Sequence, residues 1–186
     1  MAKTIKPKQR SSLKPKKKKL HTRTQCLTLA QKLCKYRELR DYGRLWCISC
    51  GQPLVFGDAG TQGGHLISRG DHATETEPDN IWPQCRVCNL VKNGNVIAYR
   101  YNLVRLIGIE RVQRLEYMSM ARRGDEEALG NLSPEDRQLA TMKKSARYYD
   151  ALYQKLKFSQ FGLELLIKSV IIPCTLLHGR KLSVLG

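Results

Sequence analysis

Four cysteines form two C-x-x-C pairs in the middle of this chain. The first pair is Cys47 and Cys50, and the second is Cys85 and Cys88. Each C-x-x-C turn can point both sulfurs at one ion, and four thiolates close a tetrahedral structural zinc site. A thioredoxin-like redox site is the alternative, but the alternating strands and helices that it needs are not indicated here. The spacing therefore predicts one structural Zn²⁺ ion.

The segment between the two pairs is 34 residues long, against the 15–20 or so of a simple zinc ribbon. It contains Gly63-Gly64-His65, and the apolar pair Leu66-Ile67 that follows predicts a short strand or the edge of a hairpin. Asn80 precedes the second cysteine pair and Asn89 directly follows it. So long an insert indicates that the zinc holds other residues in place.

This order of motifs resembles the HNH endonucleases. The narrower pattern, CISCG, then GGH, then N-I-x-x-Q-C-x-V-C-N-x-x-K-x-G-N, is similar to the NinG (Rap) recombination endonucleases of lambdoid phages. The resemblance covers roughly residues 46–117. It implies an α+β protein in which a small zinc-braced ββα-metal (HNH-like) core is followed by helices.

The resemblance also implies roles for individual residues. By position, His65 is the general base, Asn80 orients it, and Asn89 is a ligand of a catalytic Mg²⁺ or Mn²⁺ ion. A neutral imidazole, with a pKa near 6.5, can take a proton from water at physiological pH. Asn80 has a second interpretation as the cap of a turn.

A second ligand for the catalytic cation is not identified by the motif. Most HNH enzymes carry an acidic residue or His directly before the base, where this chain has Gly64. Three residues of the insert are candidates, and Asp71 is favoured over the other two. The candidates are Asp58, Asp71 and His72.

Positive charge predicts a nucleic-acid partner. The chain has 33 Lys and Arg against 16 Asp and Glu, a net charge of +17. Lysines on phosphates release counterions and bind without sequence preference. Further phosphate contacts are expected from Arg69, from Lys92, and from Asn95 and its backbone amide near the start of a helix. The predicted DNA-binding residues are Lys16, Lys17, Lys18, Lys19, Arg69, Lys92 and Asn95.

Composition shifts and periodicity divide the chain into five segments. These are a disordered basic arm (1–20), a basic helix (21–43), the zinc-braced nuclease core (44–108), a helical region (109–158) and an apolar C-terminal tail (159–186). Buried Cys26 and Cys34 are expected in the first helix. Apolar periodicity predicts helices over residues 22–42, ended by Gly43, over 96–107 and over 110–122. Residues 124–131 are predicted to be a loop, and Ser133-Pro134 to begin a helix.

An apolar stripe follows this helix start and runs from Leu139 to Leu156. It is interpreted as an intramolecular helix contact or as the seam of a homodimer. Basic residues 143, 144 and 147 fall on another face, where they could meet DNA. The apolar tail is interrupted by charges and Pro173, which argues against a membrane span.

The leading hypothesis is a metal-dependent endonuclease of a phage, located in the cytoplasm of the bacterial host. The resemblance implies branched recombination substrates such as D-loops and Holliday junctions. A non-catalytic zinc-knuckle DNA-binding protein with a degraded HNH core is the alternative, and Gly64 supports it. An RNA-binding accessory protein is a third possibility, since basic arms do not distinguish RNA from DNA.

Overall fold

A computed structural model describes the backbone of residues 19–177 and the side chains of residues 19–167. This part of the chain is mostly helical, with two small two-stranded antiparallel sheets. The helices are α1 (Arg23–Tyr42), α2 (Val96–Ile107), α3 (Ile109–Arg122), α4 (Glu126–Gly130), α5 (Pro134–Thr141) and α6 (Ala146–Leu177). The strands are β1 (Leu45–Trp46), β2 (Pro53–Leu54), β3 (Thr61–His65) and β4 (Ile81–Cys85). The predicted arm, apart from its last two residues, lies outside the described residues.

Helix α1 confirms the helix predicted after the arm. The Thr22 side chain accepts a hydrogen bond from the Gln25 amide, and the Gln25 side chain accepts one from the Thr22 amide, which forms a capping box. Gly43 ends the helix in the left-handed conformation, with φ +68°. Cys26 and Cys34 are buried in it as predicted.

The larger hairpin pairs β3 with β4, and His65 stands opposite Ile81. Strand β3 ends at His65, so Leu66-Ile67 is not a strand of its own but lies at the end of the hairpin, which agrees with the alternative prediction of a hairpin edge. Leu66 instead packs beside Trp82 in the core, and its amide donates to the Asn80 carbonyl at 3.1 Å. Burial of the Leu66 side chain explains why this apolar residue resembled part of a strand.

Helix α1 covers the edge of β3 that β4 leaves unpaired. Gln31 Nε2 donates to the Gly63 carbonyl at 3.1 Å, and Lys35 Nζ donates to the Thr61 carbonyl at 3.2 Å. A Cβ atom added to Gly63 would lie 2.8 Å from the Gln31 backbone. The helix and the strand therefore pack too closely for any side chain at position 63.

Helix α2 lies where the sequence predicts it and fastens the hairpin from the other side. Tyr99 is fully buried, and its hydroxyl lies 3.1 Å from the Gly64 carbonyl and 3.2 Å from the Asn80 carbonyl. Those two carbonyls belong to the residue before His65 and the residue before β4. The tyrosine thus fixes the end of the hairpin at which His65 lies.

The segment 124–131, predicted to be a loop, contains the five-residue helix α4. Asp125 caps it, since its side chain accepts from the Ala128 amide at 2.9 Å. Ala128 is buried with Met118 of α3 in a cluster shared with α5. Helix α5 begins at Pro134 with Ser133 as its N-cap, as predicted.

The apolar stripe from Leu139 to Leu156 does not lie on one helix. Helix α5 ends at Thr141, its C-cap Met142 is extended at φ −63° and ψ 144°, and α6 begins at Ala146. Helix α6 packs against α1, where Cys26 Sγ lies 3.1 Å from the Tyr149 carbonyl. The contact inside the chain is thus observed, and the homodimer stays a prediction.

Helix α6 extends across the predicted boundary between residues 158 and 159 as far as Leu177. No helix within residues 19–177 is long and apolar enough to cross a membrane. Compared with the predicted α+β class, the described chain is mostly helical and has two small two-stranded sheets. The assignment to the ββα-metal fold stays a prediction.

Candidate functional site

The four paired cysteines come together in one group, which we call the four-cysteine cluster. Their sulfur atoms all lie within 4.8 Å of one another, and Cys50 Sγ is 3.9 Å from Cys85 Sγ. A zinc ion about 2.3 Å from each sulfur would hold tetrahedral sulfurs about 3.8 Å apart. The four cysteines therefore fit a zinc ion. The prediction that both pairs lie at one site is confirmed by the positions of their sulfur atoms.

Two turns present the four sulfurs. Cys47 and Cys50 lie in the turn between β1 and β2, which closes with a 2.8 Å hydrogen bond from the Gly51 amide to the Cys47 carbonyl. Cys85 ends β4, and Cys88 lies in the single π-helical turn Val87–Val91. The Cys88 amide donates to Cys85 Sγ at 3.3 Å. Such donors stabilise thiolates and orient metal ligands.

Asn95 also belongs to the surroundings of this cluster. Its side-chain amide lies 3.6 Å from Cys88 Sγ, and its carbonyl accepts from the Tyr99 amide in the first turn of α2. Asn93 and Asn95 have φ near +45°, on either side of Gly94 at +87°. Asparagine is one of the few side chains that adopts this conformation readily. The side chain predicted to contact DNA is thus turned toward the cysteines.

A groove of about 320 Å³ lies between α1, the end of β3 and the turn that leads into α2, and we call it the His65 groove. It brings together three of the residues predicted from the sequence, namely His65, Arg69 and Asn89. The residues that line it are Gln31, Gly63, His65, Leu66, Ser68, Arg69, Asn89, Leu90, Asn93, Gly94 and Val96.

The ring of His65 is held in one orientation by the loop that follows it. Its Nε2 atom lies 3.0 Å from the backbone carbonyl of Glu75. A carbonyl oxygen only accepts, so the neutral ring carries its hydrogen on Nε2 and leaves the lone pair on Nδ1. Burial lowers the pKa of His65 below 6.5, and the nearby Arg69 cation acts in the same direction. The ring is thus a neutral base at physiological pH.

Two polar side chains accompany His65 in the groove. Arg69 is exposed, and its guanidinium has no hydrogen bond or ion pair with any residue of the described chain. Asn89 Nδ2 donates to Gln62 Oε1 at 2.7 Å, which fixes the amide plane. The exposed Arg69 cation and the second N–H of the Asn89 amide, beside a neutral imidazole, can together bind a phosphate group.

Asn80 acts on the groove through the backbone, and its side chain makes no hydrogen bond with His65. It is fully buried at the start of β4. Its Oδ1 accepts from the Ile67 amide at 2.8 Å, and its Nδ2 donates to the carbonyls of Ile67 and Thr74, both at 3.0 Å. Asn80 therefore closes the loop that follows His65.

The candidate ligands for a catalytic cation lie outside the His65 groove. The Asp71 carboxylate accepts from the Ala73 amide and from the Ser119 hydroxyl, and Asp58 accepts from the Gly60 amide. His72 is exposed beside Glu75. Within the described residues, no carboxylate lines the groove. Mg²⁺ in proteins is usually held by one or two carboxylates together with phosphate oxygens, so these residues do not form a magnesium site by themselves.

A steric reason explains why position 64 carries no acidic side chain. A Cβ atom on Gly64 would lie 2.1 Å from Gln84 Oε1. The Gln84 side chain is fully buried, and its Nε2 donates to Ser49 Oγ at 2.7 Å and to the Gly94 carbonyl at 2.5 Å. Gln84 thus occupies the space beside Gly64 while linking the cysteine turns to the groove.

The remaining predicted DNA contacts lie outside the groove. Lys92 is exposed on the turn between Cys88 and α2, and Lys19 is exposed before α1. Lys16, Lys17 and Lys18 lie outside the described residues. Lys144, one of the basic residues expected to face DNA, is instead buried with its Nζ 3.6 Å from Glu75 Oε1. The pKa of Lys144 is lowered by this burial.

Glu75 is the site residue that the sequence did not reveal. Its carboxylate is completely buried, and three residues from outside its loop surround it. Oε2 lies 2.6 Å from Arg23 Nε, and Oε1 accepts from the Tyr149 hydroxyl at 2.8 Å, beside Lys144. These contacts fix the segment whose carbonyl holds His65. No local pattern marks Glu75, because the three partners from outside its loop lie 52 or more positions away in the chain.

Together, the fold and the site define a mostly helical protein with a four-cysteine cluster of zinc-binding type beside a groove that contains a histidine. The sequence model of the family described as "Bacteriophage Lambda NinG protein" matches residues 1–147. The chain therefore belongs to the NinG family, and the resemblance found in the sequence is confirmed at the level of the family.

Curated relatives agree with this assignment. The chain is 37% identical over 71 residues to the NinG proteins of Escherichia phage 933W and Salmonella phage P22, which is 38% of this chain and 34% of each relative. It is 37% identical over 76 residues to the NinG protein of Escherichia phage lambda, 38% of this chain and 33% of the relative. These matches span about a third of the relatives' length. No solved structure matches the chain.

Proposed function

We propose that this protein is a DNA endonuclease that acts on branched recombination intermediates. The observation that carries the proposal is the hydrogen bond between His65 Nε2 and the Glu75 carbonyl. It leaves Nδ1 as a base in a groove that also contains Arg69, whose guanidinium has no partner among the described residues. The NinG family assignment and the resemblance to HNH nucleases support the same function. The order β3, β4, α2 is the part of the chain that we assign to a ββα-metal core.

In the proposed reaction, His65 Nδ1 takes a proton from a water molecule whose oxygen attacks the scissile phosphorus in line. The bond between phosphorus and the 3′ oxygen breaks, and the leaving 3′ oxygen takes a proton from solvent. Arg69 binds a non-bridging phosphate oxygen. Asn89 donates the second hydrogen of its side-chain amide to the same phosphate, and its amide oxygen would be a ligand for a cation bound there. The four-cysteine cluster, with zinc bound, fixes the turn that carries Asn89 relative to β4. A divalent cation would supply charge neutralisation at the phosphate.

The cleavage experiment compares a four-way DNA junction with a linear duplex of the same sequence. Zinc-loaded protein is assayed with Mg²⁺, Mn²⁺ or a chelator of these ions, and DNA affinity is measured in parallel. We expect junction cleavage to fall by about 10²–10⁴-fold in His65→Ala, with affinity unchanged. Free imidazole should restore part of the activity of this variant. Loss of cleavage in Arg69→Ala but not in Arg123→Ala, an exposed arginine outside the groove, would place Arg69 at the phosphate.

A second candidate function is a non-catalytic DNA-binding protein with a zinc knuckle. The absence of a carboxylate among the described residues that line the groove favours it. The same experiment separates the two functions. The wild type and His65→Ala could both bind the junction without cleaving it under every metal condition. This result would contradict the nuclease and support the non-catalytic DNA-binding protein.

A further inference from the structure

A second cavity lies between α1, the first cysteine turn and α2, and we call it the Glu38 cavity. Its volume is about 320 Å³, within the range of about 300–1,000 Å³ that is usual for small-ligand sites. Both tryptophans of the chain, Trp46 and Trp82, line it. Ile48 and Leu106 add apolar surface, so the walls suit a flat aromatic ring.

One carboxyl group lies in these apolar walls. Glu38 is only 5% exposed, and its Oε1 atom has no hydrogen-bond partner among the described residues. Burial raises the pKa of Glu38 to about 7. A buried polar atom without a partner costs free energy, which a ligand that brings N–H donors to it would recover.

Cations border the same walls and limit what the ligand can be. The guanidinium of Arg44 lies 4.2 Å from the ring of Trp46, and that of Arg37 lies 4.0 Å from the ring of Trp82. Arg44 is exposed, whereas Arg37 donates to the carbonyls of Pro78 and Ile81. These charges repel an arginine or ammonium group of a partner protein and attract a phosphate. The ligand they fit is an aromatic ring with N–H donors, attached to a phosphate.

The Glu38 cavity also lies close to the His65 groove. Gln31 of the groove and Glu38 of the cavity are seven residues apart on α1, which is about two turns or 10 Å along one helix face. About three nucleotides, at 3.4 Å each, span this distance in a stacked strand. A base next to a branch point can therefore reach the cavity while a neighbouring phosphate lies in the groove.

We propose that the Glu38 cavity binds one unpaired nucleobase of the DNA, with guanine preferred. Guanine presents two adjacent donors, N1–H and the N2 amino group, to the two oxygens of one carboxylate. Thymine presents a single N–H between two carbonyls, which would face those oxygens. The inference rests on the proposed function, because it takes branched DNA as the substrate and supplies a reason why unpaired bases are selected.

Tryptophan fluorescence tests the proposal, since both tryptophans line the cavity. Full-length zinc-loaded protein is titrated with dGMP, with dTMP and with N-acetylarginine amide. We expect saturable quenching by dGMP at a concentration at least tenfold lower than by dTMP. Absence of saturable quenching, equal response to both nucleotides, or tighter binding of the arginine derivative would each overturn the proposal.

Variants link this response to the carboxyl group. Glu38→Gln places an amide where guanine has its donors, and we expect it to weaken dGMP binding at least tenfold. Since Glu38 Oε1 has no partner among the described residues, its replacement by the isosteric amide should not lower the unfolding midpoint. Unchanged dGMP binding in Glu38→Gln contradicts the proposal. If that variant does not fold, dIMP tests the wild type, because inosine lacks the N2 amino group and should bind more weakly than dGMP.

The His65→Ala variant separates this inference from the nuclease proposal. It should bind dGMP as the wild type does, because His65 lies in the other site. Quenching by dGMP without any DNA cleavage supports nucleobase binding in the Glu38 cavity and contradicts only the nuclease proposal. DNA cleavage by a wild-type protein that shows no fluorescence response to dGMP supports the nuclease proposal and contradicts nucleobase binding in the Glu38 cavity.

Discussion

His65 shows how one hydrogen bond defines the chemistry of a side chain. Because the Glu75 carbonyl fixes the hydrogen on Nε2, the base is Nδ1, and this assignment needs no further residue. Motif spacing predicts the histidine but not its tautomer, since the carbonyl belongs to a residue ten positions later. The same loop buries the ring and thereby lowers its pKa.

The pH dependence of cleavage should report this lowered pKa. A general base acts in its neutral form, so the rate should rise with pH, with a midpoint below 6.5, and then level off. Single-turnover cleavage of the junction between pH 5 and 8 measures the midpoint. In Arg69→Ala the pKa of His65 itself, followed by NMR of the imidazole ring without substrate, should move upward toward 6.5, because the nearby cation is removed. A midpoint above 6.5 in the wild type would show that another group limits the reaction.

At the scale of elements, local signals predicted the helices and distant contacts determined the rest. Thr22, Gly43 and Ser133 mark helix ends within a few residues, and α1, α2, α3 and α5 lie where these signals and the periodicity predict. Helix α4 was missed because five residues show no period and its stability comes from packing of Ala128. The extended Met142 interrupts a stripe whose periodicity continued without a visible break.

The candidate site divides in the same way. The spacing of the two C-x-x-C pairs predicts that the four cysteines lie together, because the local geometry of each turn suits binding to one shared ion. The carboxylate at Glu75 and the packing of Gln84 against Gly64 depend on elements far apart in the chain. Sequence reasoning therefore located the cysteines and His65 but not the contacts that hold them.

The stability of the loop between β3 and β4 depends on the Glu75 carboxylate, and replacing that carboxylate should show this. In Glu75→Gln, Lys144 and the partly exposed Arg23 lose a buried negative partner. We expect the free energy of unfolding to fall by about 3 kcal/mol, at the lower end of what breaking a buried ion pair costs. Urea denaturation at pH 7 measures it, together with the pH midpoint of cleavage.

The matched control for this prediction is Glu116→Gln. Glu116 pairs with Arg100 between α2 and α3, and both side chains are about a third exposed or more. Loss of this pair should cost less than about 1 kcal/mol. Equal losses in the two variants would mean that the Glu75 cluster does not stabilise the loop.

For the whole molecule, zinc should join the cysteine turns to the hairpin. We expect one zinc per chain by elemental analysis, and removal by a chelator should lower the unfolding midpoint. Cys88→Ser should lose the metal, whereas Cys34→Ala should retain it, because burial raises the pKa of Cys34 to about 12 and no other cysteine lies within its turn of α1. Full zinc retention in Cys88→Ser would contradict a four-sulfur site.

Charge acts on the same scale, and it is unevenly distributed. Residues 1–46 contain 15 of the 33 Lys and Arg but only two acidic residues, while the His65 groove contributes one arginine from its lining. Affinity for DNA should therefore come mainly from outside the groove and fall steeply with salt. Contacts in the groove and the Glu38 cavity would then select the substrate without adding much to this salt dependence.

Neutralising part of the basic segment tests that division. Replacing Lys16, Lys17 and Lys18 by Gln should reduce the slope of log K against log salt by up to about 3, at about 0.9 per lost phosphate contact. The loss should be the same for junction and linear duplex, because phosphate contacts do not read structure or sequence. A control with Gln at Arg86, Arg123 and Lys155, three exposed cations, removes the same charge and should change the slope by less than about 1. Equal slopes for the two triple variants would mean that net charge, and not the N-terminal lysines, determines DNA affinity.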